Sequence, residues 1–295
     1  MRPRNRALRR GGGDLYREDR TAPLAARRAT ECVPLSPLPT TPACYMCDAP
    51  AVSREHAPPA CLFPEQKDLR VDLRRNLLTV PSCERHNATK CSDDQFLLVS
   101  LAGVLGGNAV GLGQGLTKAR RTFARGGPAL IHAALGSVRR ERHALPDGRK
   151  LDVAWGTPDF ARLDRCFDRI ARALYFHEHG SRCEGITHCV YMHTLPGDCN
   201  DATFRDFLRH KAALELAAKP YRGANPSVFT YRAADPDAAG RRLYALTFYG
   251  HLDVFVVIAP AGLERGNLAA DLIDRGIPTT ISSGGRAWRF NQTAD

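Results

Sequence analysis

The sequence lacks an apolar run long enough to cross a membrane, which needs roughly 18–20 consecutive apolar residues. Its longest such stretch, residues 252–263, contains Asp253 and is interrupted by Pro260 and Gly262. No apolar segment follows the arginines near the first residue, so we expect no secretory signal peptide. We therefore expect a cytoplasmic protein without a membrane partner.

Lysine is scarce: it supplies six of the 42 basic residues, and arginine supplies the rest. The formal net charge is +11, and residues 1–30 contain nine arginines against three acidic residues, a net +6. A basic excess is compatible with nucleic acid, an anionic membrane or acidic substrates as partners. Arginine richness can also reflect the base composition of a genome, so charge alone does not identify the partner.

The ten cysteines are concentrated in one part of the chain, with five of them before residue 84. In a reducing compartment, clustered cysteines indicate metal binding rather than disulfides. Cys44 and Cys47 form a Cys-x2-Cys pair, and Cys83 and His86 form a Cys-x2-His pair. Two such pairs supply the four nitrogen and sulfur ligands of a tetrahedral, structural zinc ion. The spacing therefore predicts a small module that zinc stabilises and that chelation would unfold.

Further polar residues lie between and beside these pairs. Glu55 and His56 precede two prolines, and Asn87 and Lys90 follow the last predicted zinc ligand. This ordered set resembles the HNH endonuclease family, in the type whose ββα-metal (treble-clef) unit is held together by a four-ligand zinc. The resemblance covers about residues 41–97. It implies a metal-dependent endonuclease that hydrolyses phosphodiester bonds, in DNA rather than RNA, of a kind found in defence systems and mobile elements.

The resemblance also implies roles for individual residues. His56 is the candidate general base, because a neutral imidazole near pH 7 can accept the proton of the attacking water. Glu55 and Asn87 are expected to hold a catalytic cation, Mg²⁺ or Mn²⁺, or Asn87 to orient His56. Lys90, one helical turn after Asn87, is expected to contact phosphate. The third position of the family motif has no clear counterpart, and two acidic residues nearby are weaker candidates: Asp93 and Asp94.

The rest of the chain divides by composition. Residues 1–40 are a basic tail rich in Pro and Gly, expected to be disordered, and residues 41–100 form the HNH-like zinc module. Residues 101–150 are a Gly-rich helical connector, and residues 151–295 are expected to form an α+β domain of unknown role. Apolar residues at helical spacing predict helices over residues 158–176 and 203–218. Strands are expected over residues 227–233, 242–249 and 254–259, with Gly250 in a hairpin turn.

The fold class is thus α+β, with a small zinc-stabilised ββα-metal module followed by a larger α+β domain. Two other interpretations of the function stay open. The zinc module could bind nucleic acid without cutting it, or the function could lie in residues 150–295. A second stretch rich in His and Cys, residues 177–193, is compatible with another metal site but does not match a common zinc module. The sequence leaves an oligomeric state open.

Overall fold

The structure is a computed structural model that describes residues 42–88, 90–144, 148, 150–263 and 268–292. The predicted tail over residues 1–40 lies outside the described residues. The structure is 40% helix and 24% strand, which confirms the α+β class. The described residues belong to one compact unit. No helix among the described residues has the length and apolar character to cross a membrane.

The first elements form a short hairpin followed by helices. Strand β1 (Ser53–His56) pairs antiparallel with β2 (Thr79–Ser82), and Ser53 lies opposite Ser82 while His56 lies opposite Thr79. The segment between them contains a 3-10 turn (Ala60–Leu62) and the short helix α1 (Gln66–Leu69). Helix α2 (Glu84–Ala88) begins almost directly after β2, and α3 (Cys91–Leu101) follows it. Residues 42–101, which contain these elements, are the ligand module.

The Gly-rich segment contains two helices and a π-helical turn between them. Helix α4 (Ala109–Gln114) is capped by Asn108, whose side chain accepts hydrogen bonds from the next free backbone amides, a standard helix start. A π-helical turn (Gly115–Ala119) leads into α5 (Arg120–Leu135). Gly115 has a packing reason to be glycine, because a Cβ there would lie 2.8 Å from the Cα of Gly103.

A five-stranded antiparallel sheet forms the largest part of the fold, in the order β5-β9-β8-β7-β6. Its strands are β5 (Ile186–Tyr191), β6 (Arg222–Asn225), β7 (Phe229–Ala233), β8 (Arg242–Phe248) and β9 (Leu252–Ala259). The three predicted strands correspond to β7, β8 and β9, and the predicted turn at Gly250 joins the last two, with Gly250 at φ +86°. The sheet is therefore built mainly from local hairpins.

Two helices cover the sheet. Helix α6 (Phe160–His179) begins at an Asp159 N-cap and ends at Gly180 in the left-handed conformation, close to the predicted helix. It packs with Leu246 and Val254, whereas α7 (Cys199–Leu216) packs with Leu243 and Phe255. Alternate residues of a strand point to opposite faces, so the two helices lie on opposite faces of the sheet.

Two hairpins and a short helix complete the described chain. Strands β3 (Arg139–Ala144) and β4 (Lys150–Trp155) form one hairpin, and β10 (Thr279–Ser283) and β11 (Arg286–Phe290) form the other. Helix α8 (Leu268–Asp274) precedes β10. The main apolar core is shared between the ligand module and the sheet, because Phe96 and Leu97 of α3 belong to the same cluster as Phe167 and Ile170 of α6.

Candidate metal centre and the adjoining hairpin

The four predicted zinc ligands lie together. The Sγ atoms of Cys44, Cys47 and Cys83 and a ring nitrogen of His86 are all within 4.8 Å of one another. Nδ1 of His86 is 3.5 Å from Sγ of Cys44, 3.5 Å from Sγ of Cys47 and 3.2 Å from Sγ of Cys83. The Sγ atoms of Cys47 and Cys83 are 3.8 Å apart. The four side chains can therefore hold one structural metal ion such as zinc.

These separations agree with a tetrahedral zinc shell. Zn–S bonds of about 2.3 Å and Zn–N bonds of about 2.0–2.1 Å give tetrahedral edges of about 3.8 Å for S···S and about 3.5 Å for S···N. A disulfide would require the two sulfurs to be about 2.05 Å apart. Four protein ligands complete the shell, which is the arrangement of a structural rather than a catalytic site.

Local backbone structure brings the two ligand pairs together. The first pair lies in a turn closed by the Ala43–Pro50 bridge, where Cys44 N donates to Ala49 O at 2.9 Å. The second pair is at the start of α2, so that Cys83 and His86 lie one helical turn apart. Tyr45 N donates to Pro81 O at 3.0 Å, which ties the first turn to β2.

Glu55 lies at the centre of a buried polar network. Its side chain is on the inner face of β1 and the residue is only 4% exposed. Tyr45 Oη donates to Oε1 at 2.9 Å and Ser82 Oγ donates to Oε2 at 3.3 Å. The ammonium of Lys90 forms an ion pair with Oε1. Burial and the neighbouring Glu55 charge raise the pKa of Tyr45, so its hydroxyl stays protonated and can donate.

Lys90 is a buried internal partner. The residue is 7% exposed, and besides its ion pair with Glu55 its Nζ donates to the backbone oxygen of His56 at 3.0 Å. Asp94 Oδ1 is a more distant partner at 3.9 Å. The expected phosphate contact would require this ammonium to leave its partners, whereas its position in the structure fixes the end of β1 against α3.

His56 and Asn87 are both exposed, but they lie at different places on the module. The His56 side chain is on the face of β1 opposite to Glu55. Desolvation, then the positive charges of Lys90 and Arg74, lower the pKa of His56. Asn87 Nδ2 donates to Ser53 Oγ at 3.0 Å. The structure therefore brings Glu55 and Lys90 together, while the side chains of Glu55 and His56 point apart.

The predicted Mg²⁺ or Mn²⁺ site does not fit this arrangement. Both carboxylate oxygens of Glu55 have protein partners, and one of those partners is a cation. The side-chain amide of Asn87 is directed to Ser53. An open pair of oxygen ligands, which a hard divalent cation requires, is not formed by these two residues.

Sequence reasoning missed a second part of the site, at the start of α3. Asp93 accepts from Arg162 Nε and from Arg169 Nη1, each at 2.8 Å, and both arginines belong to α6. Asp94 is the other acidic residue there, and burial raises its pKa to about 6. The sequence offers both aspartates as candidates for the chemistry, but not the arginine partners of Asp93. The two arginine partners of Asp93 lie more than 60 residues away along the chain, which local spacing does not reveal.

The second stretch rich in His and Cys forms no comparable group. Within the described residues, the Cys44, Cys47, Cys83 and His86 group is the one with metal-binding geometry. His193 instead hydrogen-bonds the backbone oxygen of Asp253 at 3.1 Å. His179 lies 3.9 Å from Glu178.

Comparisons with known proteins give no relative. No family model matches the sequence, and neither a curated protein nor a solved structure matches it.

Proposed function

We propose that the protein is an HNH-type endonuclease whose ligand module is a zinc-held ββα-metal (treble-clef) unit that cuts phosphodiester bonds, in DNA. One observation carries the proposal. The exposed imidazole of His56 lies on the β1–β2 hairpin, and the metal ligands join this hairpin to a helix. His56 ends β1, and the ligands Cys83 and His86 connect β2 to α2. The order strand, strand, helix is that of the family which the sequence resembles.

The residues support a hydrolytic step at His56. Water attacks phosphorus through its oxygen while the imidazole takes the proton of the water. The bond from phosphorus to the leaving oxygen breaks, and that oxygen keeps the bonding electron pair and takes a proton from solvent. The lowered pKa of His56 keeps the imidazole neutral near pH 7, as a general base requires. Arg54, two residues away on the same face, offers a guanidinium to the phosphate. Glu55 and Lys90 act as positioning residues, since Lys90 holds the backbone of His56. No step is assigned to Mg²⁺, because Glu55 presents no open oxygen.

The test is nicking of a supercoiled plasmid by His56→Ala, assayed in Mg²⁺ and in Mn²⁺. Loss of a general base typically lowers the rate about 10²–10⁴-fold, and we expect a loss in this range with zinc content and folding unchanged. His251→Ala removes another exposed histidine, in the turn between β8 and β9, and serves as the matched control. Undiminished nicking by His56→Ala would contradict the assignment.

A second candidate function is a zinc-dependent nucleic-acid-binding module without catalysis. The specific observation in its favour is that Glu55 is buried and paired with Lys90, so it cannot act as a metal ligand in this arrangement. On this alternative, the wild type and His56→Ala bind DNA equally, and neither cuts it at stoichiometric concentration in Mg²⁺, Mn²⁺ or Ni²⁺. Binding by gel shift, measured on the samples used for nicking, separates the two functions.

A further inference from the structure

A cleft lies between the ligand module and the edge of the sheet. Its volume is about 720 Å³. Arg54 and Thr79 line it from the hairpin side, and Glu178 and Arg222 line it from the side of α6 and β6. His56, the proposed general base, pairs with Thr79 of this wall but does not itself line the cleft. It is the place where the two parts of the molecule could act on one ligand.

The hairpin wall offers an arginine whose direction is fixed. Arg54 Nε donates to Thr79 Oγ1 at 2.9 Å, and its Nη2 donates to Thr79 O at 3.0 Å. Arg54 and His56 share a face of β1, with Cα atoms about 7 Å apart in an extended strand. A phosphate bound by Arg54 would therefore lie beside His56.

The opposite wall offers a second oriented arginine. Arg222 forms an ion pair with Glu178, whose side chain is only 7% exposed, while the Arg222 side chain is 50% exposed. Tyr244 Oη donates to the other oxygen of Glu178 at 3.1 Å, which fixes the carboxylate. The buried Glu178 carboxylate thus contacts one side of the Arg222 guanidinium, and the other side faces solvent.

The shape of this wall depends on an irregularity in the sheet edge. The pairing of β6 with β7 shifts register between Arg222 and Asn225. Gly223 lies there at φ +128°, and a Cβ would be 2.6 Å from the oxygen of Phe229. Asn225 Nδ2 donates to Arg75 O at 2.9 Å, which links the two walls. The distance between the walls is therefore fixed by the folded chain rather than by a ligand.

We propose that this cleft binds a single strand of DNA, with Arg54 and Arg222 on its phosphates and the strand leading to His56. Guanidinium groups match phosphate oxygens in pairs, and two oriented ones on facing walls suit a strand better than a small neutral molecule. A duplex, with a major groove about 12 Å wide, needs a more open surface. The inference rests on the proposed function and assigns part of it to residues of the sheet region.

The test uses the full-length chain with His56→Ala, which prevents cutting, and measures binding of a fluorescent 12-nucleotide single strand by polarisation over a range of salt. Adding Arg54→Ala or Arg222→Ala should weaken binding several-fold. Each should also reduce the slope of log K against log salt by about 0.7, the value for one lost phosphate contact on a single strand. Arg275→Ala, an exposed arginine after α8, is the matched control and should change neither. Zinc content and thermal unfolding report whether each variant is folded, and Arg222→Lys tests the site without removing the charge.

The outcomes separate the two proposals. Tight binding with an unchanged slope in both arginine variants, or a preference for the duplex that neither variant alters, would overturn the cleft assignment and leave the nuclease intact. Absence of binding to any nucleic acid, together with no nicking by the wild type, would overturn the proposed function itself.

Discussion

The ligand module and the sheet bury different kinds of group. Strands β8 and β9 place mostly apolar side chains inside, such as Leu246, Phe248 and Val254. The ligand module buries a carboxylate and an ammonium, Glu55 and Lys90, beside its metal ligands. Apolar burial is worth roughly 25 cal/mol per Å², whereas a buried ion pair barely offsets its own desolvation. The sheet is therefore stabilised by apolar burial. We expect residues 42–88 to depend more on a bound metal ion, although Leu62 and Phe63 also belong to the main core.

The largest effect expected from this comparison is metal removal. A chelator, or Cys83→Ser, should release zinc and unfold residues 42–88 while the sheet persists, because structural zinc contributes about 10–16 kcal/mol in small modules. Hydrogen exchange measured separately on the module and on β8 and β9 would detect the difference. Cys199→Ser changes an exposed cysteine and should keep both the metal and the protection. Equal loss of protection in both regions would contradict the comparison.

Truncation of a side chain in the sheet core should destabilise the sheet rather than release the metal from the ligand module. Phe248 is fully buried between Phe167 and Phe229, with ring centroids 5.7 Å and 4.9 Å away. Phe248→Ala should lower the free energy of unfolding by about 3–5 kcal/mol, from lost transfer energy and a cavity. Phe204→Ala, at a partly exposed position on α7, should cost far less. Denaturant unfolding of zinc-loaded protein measures both. If Phe248→Ala released zinc at a lower denaturant concentration than that which unfolds the sheet, the assignment of this side chain to the sheet core would be wrong.

The link between the two regions is the next target. Asp93 joins α3 to α6 through two arginines and its side chain is 13% exposed. Asp93→Ala leaves both guanidinium groups without this partner in a half-buried place, so we expect a loss of about 2–3 kcal/mol. Asp48, whose side chain is 93% exposed, pairs with Arg182 at 2.7 Å, and Asp48→Ala should cost less than about 1 kcal/mol. Similar losses of unfolding free energy in both variants would mean that the ion pairs of Asp93 stabilise the fold no more than a surface ion pair does.

The same contrast explains what the sequence could predict. The ligands Cys44, Cys47, Cys83 and His86 follow from spacing alone, since two Cys-x2 pairs need only local turns, and the structure brings them together. Strands β7, β8 and β9 and the helix α6 follow from apolar patterns, which report the core. The pairing of Lys90 with Glu55 could not be predicted, because it depends on how α3 packs across 35 residues of chain. The close packing of the α4 glycines could not be predicted either, because the side chain that a Cβ at Gly111 would meet, Tyr249, comes from a distant part of the chain.

The smallest effect, and the most selective, is a pH dependence at Asp94. Burial raises its pKa to about 6 from an ordinary value of 3.8, so the folded protein binds this proton more tightly than the unfolded chain does. The protonated Asp94 carboxyl therefore makes its full contribution to the free energy of unfolding below about pH 4. This contribution is lost as the pH rises through about 6. Asp94→Asn is neutral at every pH, so it should unfold with the wild-type free energy at pH 4 and be about 1–2 kcal/mol more stable at pH 8. Asp271→Asn, at an exposed position on α8, should show no such difference between the two pH values. Destabilisation of Asp94→Asn at pH 8 would mean that the ionised carboxylate is needed by Lys90, and that the polar network in the ligand module stabilises the fold after all.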